Sequence, residues 1–340
     1  MTLCSCPSAA ARTSLFIYSL NCLFSLLRSL SVVFYNSYLP ILVNQHPEIA
    51  AAPSNLRSVI YHEISNYMST MGYIFGYVGS VLVSLVAIAL SIFISKEDDL
   101  NVRAILCFGG FWWAAFSIYS FLYLKEHPGK QLQRGEWLMA KGWISTATTL
   151  KQAAACPQTF KFLVAYFFYS DSYSTIVTVG VLLMKDVMCM KPLQLGIILL
   201  EVFLLAVLGN AMALRIQRRF KIQTKFMIFG CLSGYMFLSA FSLLGLIRNS
   251  PVGLKSIPEA YLFAAVHGLI IGAVQSYSRT IFCDLLIPGK EAEFFALYEI
   301  TDKGSSWLGS FSLLFYLFPP QVFFRTLRNC RRGLLTRMWV

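Results

Sequence analysis

The sequence predicts an all-α fold, a polytopic transmembrane helix bundle, from two observations. Hydrophobic residues make up 57% of the 340 and charged residues 13%, whereas soluble domains carry about 25% charged residues. The apolar residues lie in blocks of about 20, the length that a helix needs to cross a bilayer. Helices suit such blocks because they satisfy their own backbone hydrogen bonds, for which lipid offers no partner.

Eight of these blocks are predicted to be membrane spans. They are Ser14–Val43, Thr70–Ser95, Asn101–Leu124, Phe160–Met184, Leu193–Leu214, Phe226–Ile247, Tyr261–Cys283 and Ser305–Phe318. The first is unlike a signal peptide, because its apolar run continues past Arg28 to Val43. The last is the shortest and runs into Pro319, a residue that interrupts helices.

Basic residues set the predicted orientation. The formal net charge of +12 is interpreted as loops that face anionic lipid, and not as a surface that binds nucleic acid. Residues 125–158 and Arg215–Lys225 are both rich in lysine and arginine and lie two spans apart, which predicts that both face the cytosol. The same parity places Asn44–Ser69 and Asp284–Gly304 on the cytosolic side. Within the basic linker 125–158, segment Glu136–Leu150 is predicted to be a helix in the membrane interface, with an ordinary solvated linker as the alternative.

Motifs of soluble chemistry are missing from the sequence. The nine cysteines include no C-x-x-C pair and there are only four histidines, which predicts neither a metal site nor a disulfide framework. The sequence contains no H-E-x-x-H and no G-x-x-x-x-G-K motif. We therefore expect no cofactor and no enzymatic activity, although a multi-pass membrane enzyme with a catalytic pair in one cavity stays an alternative.

Two parts of the chain repeat one pattern. A span with a polar end, a cytoplasmic loop and a helix rich in small residues occur around Gly72–Ser80 and again around Gly304–Ser310. Parallel repeats of this kind relate the two halves of major facilitator carriers. The pattern is weak by itself but favours that architecture.

Five segments resemble the autophagy-related protein twenty-two family. They are Phe34–Pro40, Phe108–Trp113, Phe162–Asp171, Gly272–Arg279 and Ile287–Gly309. The resemblance covers Phe16 to Leu314 and implies a partial major facilitator fold, corresponding to helices four to eleven of twelve. It implies a carrier in the vacuolar or lysosomal membrane that exports amino acids to the cytosol in autophagic recycling, by alternating access and with proton coupling as an option.

This resemblance divides the chain into four parts. Residues 1–124 correspond to a remnant of the first helical half, 125–158 to the linker, 159–324 to the second half, and 325–340 to an arginine-rich tail unlike the family. The family's three opening helices and its twelfth helix have no counterpart here, and Ser172 stands where the family commonly has glycine. We therefore expect the 340 residues alone to transport little or nothing. A carrier of another small solute and a non-transporting membrane fragment are the alternatives.

Polar residues at membrane depth are the predicted substrate pathway. Such groups are costly in lipid, so their presence in a span indicates a functional role. The set is Asp171, Tyr35, Asn36, Arg28, Gln275 and Glu201. Asp171 suits a substrate ammonium or a coupling proton, with a structural bond to a neighbouring helix as the alternative. Arg28 suits an ion pair or a substrate carboxylate, and Glu201 favours an interhelical hydrogen bond over proton coupling.

Residues near the last span are predicted to act in gating. Asp302, Lys303 and Arg279 are candidates for a latch between the two halves, with a solvated turn as the alternative for Asp302 and Lys303. The pairs Gly72/Gly76 and Gly268/Gly272 are predicted to let helices approach closely.

Cysteine labelling tests the predicted topology. Single cysteines that replace Lys151 or Lys221, in a background without the native cysteines, should react with a membrane-impermeant maleimide added outside intact vacuoles. A cysteine that replaces Lys185, on the predicted opposite side, is the control and should react only after permeabilisation. Labelling of Lys151 and Lys221 positions from opposite sides would contradict the orientation.

Overall fold

The computed structural model describes residues 27–93, 98–123, 138–245, 247 and 252–317. Residues 27–44 form helix α1. The other helices are α2 (Pro47–Ala51), α3 (Arg57–Phe93), α4 (Asp98–Tyr123), α5 (Leu138–Ala155), α6 (Pro157–Leu182), α7 (Pro192–Phe220), α8 (Thr224–Leu244), α9 (Ile257–Asp284) and α10 (Glu291–Leu317). A π-helical turn, Leu183–Val187, extends α6. All regular structure in these described ranges is helical, which confirms the predicted fold class.

Six helices in the described part of the chain are long and apolar enough to cross a membrane. They are α3, the segment Ala104–Tyr123 of α4, α6 with its π-helical turn, α7, α8 and α9. The first predicted span, Ser14–Val43, overlaps α1, but its residues 14–26 lie outside the described residues. The polytopic bundle is confirmed, and the count of eight spans stays a prediction.

Helix α10 corrects the last predicted span. Sequence reasoning began that span at Ser305 and assigned Asp284–Gly304 to a loop, whereas the helix begins at Glu291. The reason is that Glu299, Asp302 and Lys303 interrupt the apolar pattern, although Glu299 is 7% exposed inside the bundle. Helix α3 likewise begins at Arg57, well before the predicted Thr70. The arginine-rich tail 325–340 lies outside the described residues.

The basic segments lie at one end of the bundle. Three contacts between elements place them there: His62 Nδ1 with Asp284 Oδ2 at 2.9 Å, Asn66 Nδ2 with Thr224 Oγ1 at 2.9 Å, and Thr149 Oγ1 with Glu293 Oε2 at 2.7 Å. They join the start of α3 to the end of α9 and to the α7–α8 turn, and they join α5 to the start of α10. This shared end is the one that the sequence predicts to face the cytosol.

Helix α5 confirms that the second part of the linker is helical. Trp143 is 76% exposed and Ile144 66% exposed, as a helix lying in the interface would require. Its place in the interface stays a prediction, and residues 125–137 of the linker lie outside the described residues.

Glycines bring α7 and α9 into close contact. A Cβ on Gly209 would meet the carbonyl oxygen of Leu269, and a Cβ on Gly268 would lie 2.8 Å from the carbonyl oxygen of Val202. Helices in lipid associate by close packing, because lipid is as apolar as their side chains. The predicted role of Gly268/Gly272 is thus confirmed. Gly76 disagrees with its prediction, since the structure places no atom of the described residues within 4 Å of its Cβ position.

Substitution of Gly209 by alanine should destabilise the bundle. The added methyl group would meet backbone atoms of Leu269, and overpacking of this kind costs about 1–3 kcal/mol. Gly230→Ala on α8 is the matched control, because no described atom lies within 4 Å of its Cβ position. Heat-induced aggregation of the purified variants in detergent is the measurement. Equal stability of the two variants would argue against the α7–α9 contact.

Candidate functional site

Arg279 lies at the centre of a buried polar layer between two groups of helices. The first group is α1, α3 and α4, before the linker, and the second is α6 to α10. Arg279 on α9 is 2% exposed. Its Nε donates to Ser69 Oγ at 3.0 Å, its Nη2 to the Ser69 carbonyl oxygen at 2.8 Å, and its Nη1 to Asn36 Oδ1 at 3.3 Å. All three bonds cross from the second group to the first.

Two tyrosines cover the guanidinium. Its carbon lies 4.7 Å from the ring centroid of Tyr73 on α3 and 5.3 Å from that of Tyr35 on α1. Cation–π contacts of this kind stabilise a cation that has been removed from water. Gly72 makes room for the arrangement, because a Cβ there would lie 2.7 Å from the Tyr35 hydroxyl and 3.2 Å from Arg279 Nη2.

Asn36 connects Arg279 to a buried carboxylate. While its Oδ1 accepts from the arginine, its Nδ2 donates to Glu299 Oε1 on α10 at 3.3 Å. Asn36 is 3% exposed and Glu299 7%. Buried charges are costly unless they are hydrogen-bonded and compensated. The layer therefore holds a cation and a carboxylate separated by one amide, across α1, α9 and α10.

Further hydrogen bonds tie α3 to α9. Ser69 Oγ donates to the carbonyl oxygen of Ser276 at 2.8 Å, so this hydroxyl both gives and receives a bond in the layer. One to two turns away, the Tyr77 hydroxyl donates to Gln275 Oε1 at 2.6 Å. These contacts place Gln275 on the α3-facing side of α9, next to the layer.

Asp302 forms a second polar cluster on α10. Its Oδ1 accepts from Tyr166 and Tyr173 of α6, at 3.0 Å and 2.9 Å, and from Ser170 at 2.5 Å. Its Oδ2 lies 2.6 Å from Lys303 Nζ. These bonds hold α10 to α6 within the second helix group. A latch between the two groups through Asp302 and Lys303 stays a prediction.

The structure brings together some of the predicted pathway residues and separates others. Tyr35 and Asn36 meet Arg279 in the polar layer, and Gln275 adjoins it. Arg28 is exposed near the start of the described part of α1, close enough for its charge to act on Glu299 of the layer. Glu201 on α7 is partly buried, and its Oε2 lacks a hydrogen-bond partner among the described residues. Asp171 is partly buried on α6, directly after Ser170. The roles of Arg28, Glu201 and Asp171 stay predictions.

Sequence reasoning missed Ser69, Tyr73 and Tyr77, and it did not give Glu299 a place in the site. A signal for the three α3 residues exists, because Asn66, Ser69, Tyr73 and Tyr77 recur at spacings of three or four. That spacing places polar side chains on one face of an otherwise apolar helix.

A cleft opens beside the polar layer, at the end of the bundle that the sequence predicts to be cytosolic. Its volume is about 840 Å³, and it is lined by the start of α3, the end of α9 and the turn between α7 and α8. Asn66 in its wall lies one helical turn from Ser69 of the layer. The cleft therefore adjoins the layer and lies between the two helix groups.

The sequence matches one protein family over most of its length. Residues 10–314 match the family described as "Vacuole effluxer Atg22 like". Autophagy-related protein 22-1 of Phaeosphaeria nodorum is 30% identical over 320 residues, covering 82% of this chain and 56% of the relative. Autophagy-related protein 22 of Coccidioides immitis is 29% identical, covering 82% and 54%. Autophagy-related protein 22-1 of Penicillium rubens is 33% identical, covering 72% and 43%.

The chain spans about half the length of these curated relatives. No solved structure matches it.

Removal of the Ser69 hydroxyl should destabilise the polar layer. In Ser69→Ala, Arg279 Nε loses its acceptor, and an unsatisfied buried group costs about 1–3 kcal/mol, more when it is charged. Ser80→Ala is the control on the same helix, because that hydroxyl bonds only the Gly76 carbonyl oxygen of its own helix. Thermal unfolding in detergent should distinguish the two. If Ser69→Ala were as stable as Ser80→Ala, the layer would not hold the helix groups together.

Proposed function

The chain belongs to the "Vacuole effluxer Atg22 like" family, and from this membership we propose that its helices form the substrate pathway of a carrier that exports amino acids from the vacuole to the cytosol. The vacuole and the link to autophagy follow from the family and its relatives. The six apolar helices support a multi-pass membrane protein. A carrier of this kind makes and breaks no covalent bond.

The observation that carries the proposal is the contact of Arg279 with both helix groups. Alternating access requires contacts that hold two groups of helices together in one state and break in the other. The hydrogen bonds of Arg279 to Asn36 and Ser69 join the two groups and supply contacts of the kind that such a mechanism needs. Separation of the groups would leave the buried guanidinium without acceptors, and a substrate carboxylate would be a suitable replacement.

Amino acids are the substrate class that the layer favours over other small solutes. A zwitterion carries a carboxylate and an ammonium, and the layer holds one guanidinium and one carboxylate, Arg279 and Glu299. Asp171 is the proposed further partner for the ammonium or for a coupling proton, and Glu201 is the second candidate for the proton. In a non-transporting fragment the same layer would serve only as packing.

A chimera tests the proposal, because the chain spans about half of its relatives. The aligned segment of the Phaeosphaeria nodorum relative is replaced by this chain, and the product is reconstituted into liposomes loaded with radioactive amino acids. We expect saturable efflux from the chimera and little or none from the 340 residues alone. No efflux from a chimera that inserts and folds normally would contradict the proposal. Saturable efflux from the 340 residues alone would contradict the expectation that they transport little or nothing.

Asp171→Asn in the chimera tests the pathway. If Asp171 binds substrate or proton, its neutral counterpart should lower efflux by about tenfold, equivalent to 1.4 kcal/mol, while insertion stays normal. Asp186→Asn is the matched control, since Asp186 is exposed in the π-helical turn at the end of α6. Equal efflux from the two variants would remove Asp171 from the pathway.

A further inference from the structure

The cleft of about 840 Å³ has walls from both helix groups. Glu63 and Asn66 of α3 represent the first group. The second group contributes Arg218 at the end of α7, Lys221 in the turn that follows and Lys225 at the start of α8. A ligand in this cleft would therefore touch both groups at once.

Several charged side chains that line the cleft form no ion pair with other described residues of the protein. The side chain of Glu63 makes no hydrogen bond or ion pair with the residues that the structure describes, and the same is true of the side chain of Lys221. Arg218 and Lys225 make only aromatic contacts in the described ranges, with Tyr67 at 4.6 Å and with Phe226 at 5.1 Å. The cleft thus presents three cations from α7, α8 and the turn between them, and a carboxylate from α3 whose side chain makes no hydrogen bond or ion pair with the described residues.

The other acidic residue of the cleft already has a partner within the protein. Asp284 at the end of α9 lies 2.9 Å from His62 of α3. Glu63 is consequently the carboxylate that can accept a ligand cation. The cations are spread over the end of one helix and the following turn, so a small carboxylate can approach them without entering the bundle.

The wall of the cleft is built from buried amides. Asn66 Nδ2 and Gln217 Nε2 both donate to Thr224 Oγ1, at 2.9 Å and 3.3 Å. Asn66 is 5% exposed and Gln217 8%. Asn66 Oδ1 has no hydrogen-bond partner among the described residues, and buried polar atoms without a partner are uncommon. Because the Oδ1 atom itself is buried, the amides form the floor beneath the cleft, and the ligand contacts come from the charged side chains at its rim.

We propose that this cleft is an exit site for a zwitterionic amino acid, whose carboxylate lies against Arg218, Lys221 and Lys225 and whose ammonium lies against Glu63. The assignment rests on the proposed function and adds to it the place where the substrate is held before release. Both charges of the ligand are needed, because the charged walls belong to different helix groups. The ligand therefore links the groups at the same end of the bundle as the polar layer.

Binding of leucine and its analogues to the purified 340-residue chain tests this site. Saturation-transfer NMR in detergent is suited to weak ligands. Leucine should bind about fivefold more tightly than N-acetylleucine, which lacks the ammonium, and than leucinamide, which lacks the carboxylate, since an exposed ion pair contributes up to that factor. Inorganic phosphate is the probe for a plain anion site.

Charge-removing variants locate the binding. Arg218→Gln and Glu63→Gln should each weaken leucine by about fivefold, and Glu63→Gln should leave N-acetylleucine unchanged because that probe lacks the ammonium. Arg219→Gln is the matched control, as Arg219 is an exposed neighbour that does not line the cleft. Gel filtration confirms that each variant is folded.

The outcomes separate this inference from the proposed function. Equal binding of leucine and its analogues, tighter binding of phosphate, or equal effects of Arg218→Gln and Arg219→Gln would each overturn the exit site. If the chimera still exports amino acids in that case, the proposed function stands and only the exit site falls. If leucine binds in the cleft as expected while the chimera exports nothing, the site is a binding site and the transport proposal falls.

Discussion

The burial of one guanidinium constrains the rest of the bundle. Arg279 is 2% exposed and donates three hydrogen bonds to neutral oxygens of Ser69 and Asn36. A charge in that position is tolerated only if several acceptors converge on it. Because those acceptors come from α1 and α3, the positions of both helices against α9 are fixed by the arginine. Glu299 extends the constraint to α10 through the other end of the Asn36 amide.

Close helix packing holds together helices that the polar layer does not join. Between helices in lipid there is no hydrophobic driving force, so contacts depend on small residues and short hydrogen bonds. At the α7–α9 crossing, Gly209 and Gly268 let backbones touch. In the layer, Gly72 performs a different task, because it leaves room for a side chain, the Tyr35 ring that covers Arg279. The same residue type thus serves packing in one place and charge burial in the other.

The sequence predicted the fold class well, because the apolar blocks of α3, α7, α8 and α9 are long and uninterrupted. It failed at the start of α10, since Glu299 and Asp302 interrupt the apolar pattern although they are inside the bundle. Their partners on α1 and α6 are distant in sequence, and hydropathy carries no information on such pairings. For the same reason, the sequence identified Asn36 and Arg279 only as separate candidates, one for the pathway and one for the latch. Their contact, across a separation of 243 residues, required the structure.

The cost of breaking the hydrogen bonds of Arg279 relates the polar layer to the cleft beside it. A hydrogen bond to a charged group contributes about 1.5–3 kcal/mol, so separating Arg279 from its three acceptors at once would be costly in the absence of a replacement. The two helix groups would then seldom separate without a replacement, and in the proposed function a substrate carboxylate supplies it. The cleft lies one turn of α3 away, from Ser69 to Asn66, and its walls also belong to both groups. In the proposed function, a zwitterion that leaves the layer would meet the proposed exit site, where its two charges again join the helix groups. Its binding would weaken on that transfer, because water screens exposed charges more than buried ones. In the proposed function, release toward the predicted cytosolic side would follow from the order of the two proposed sites along α3 and α9.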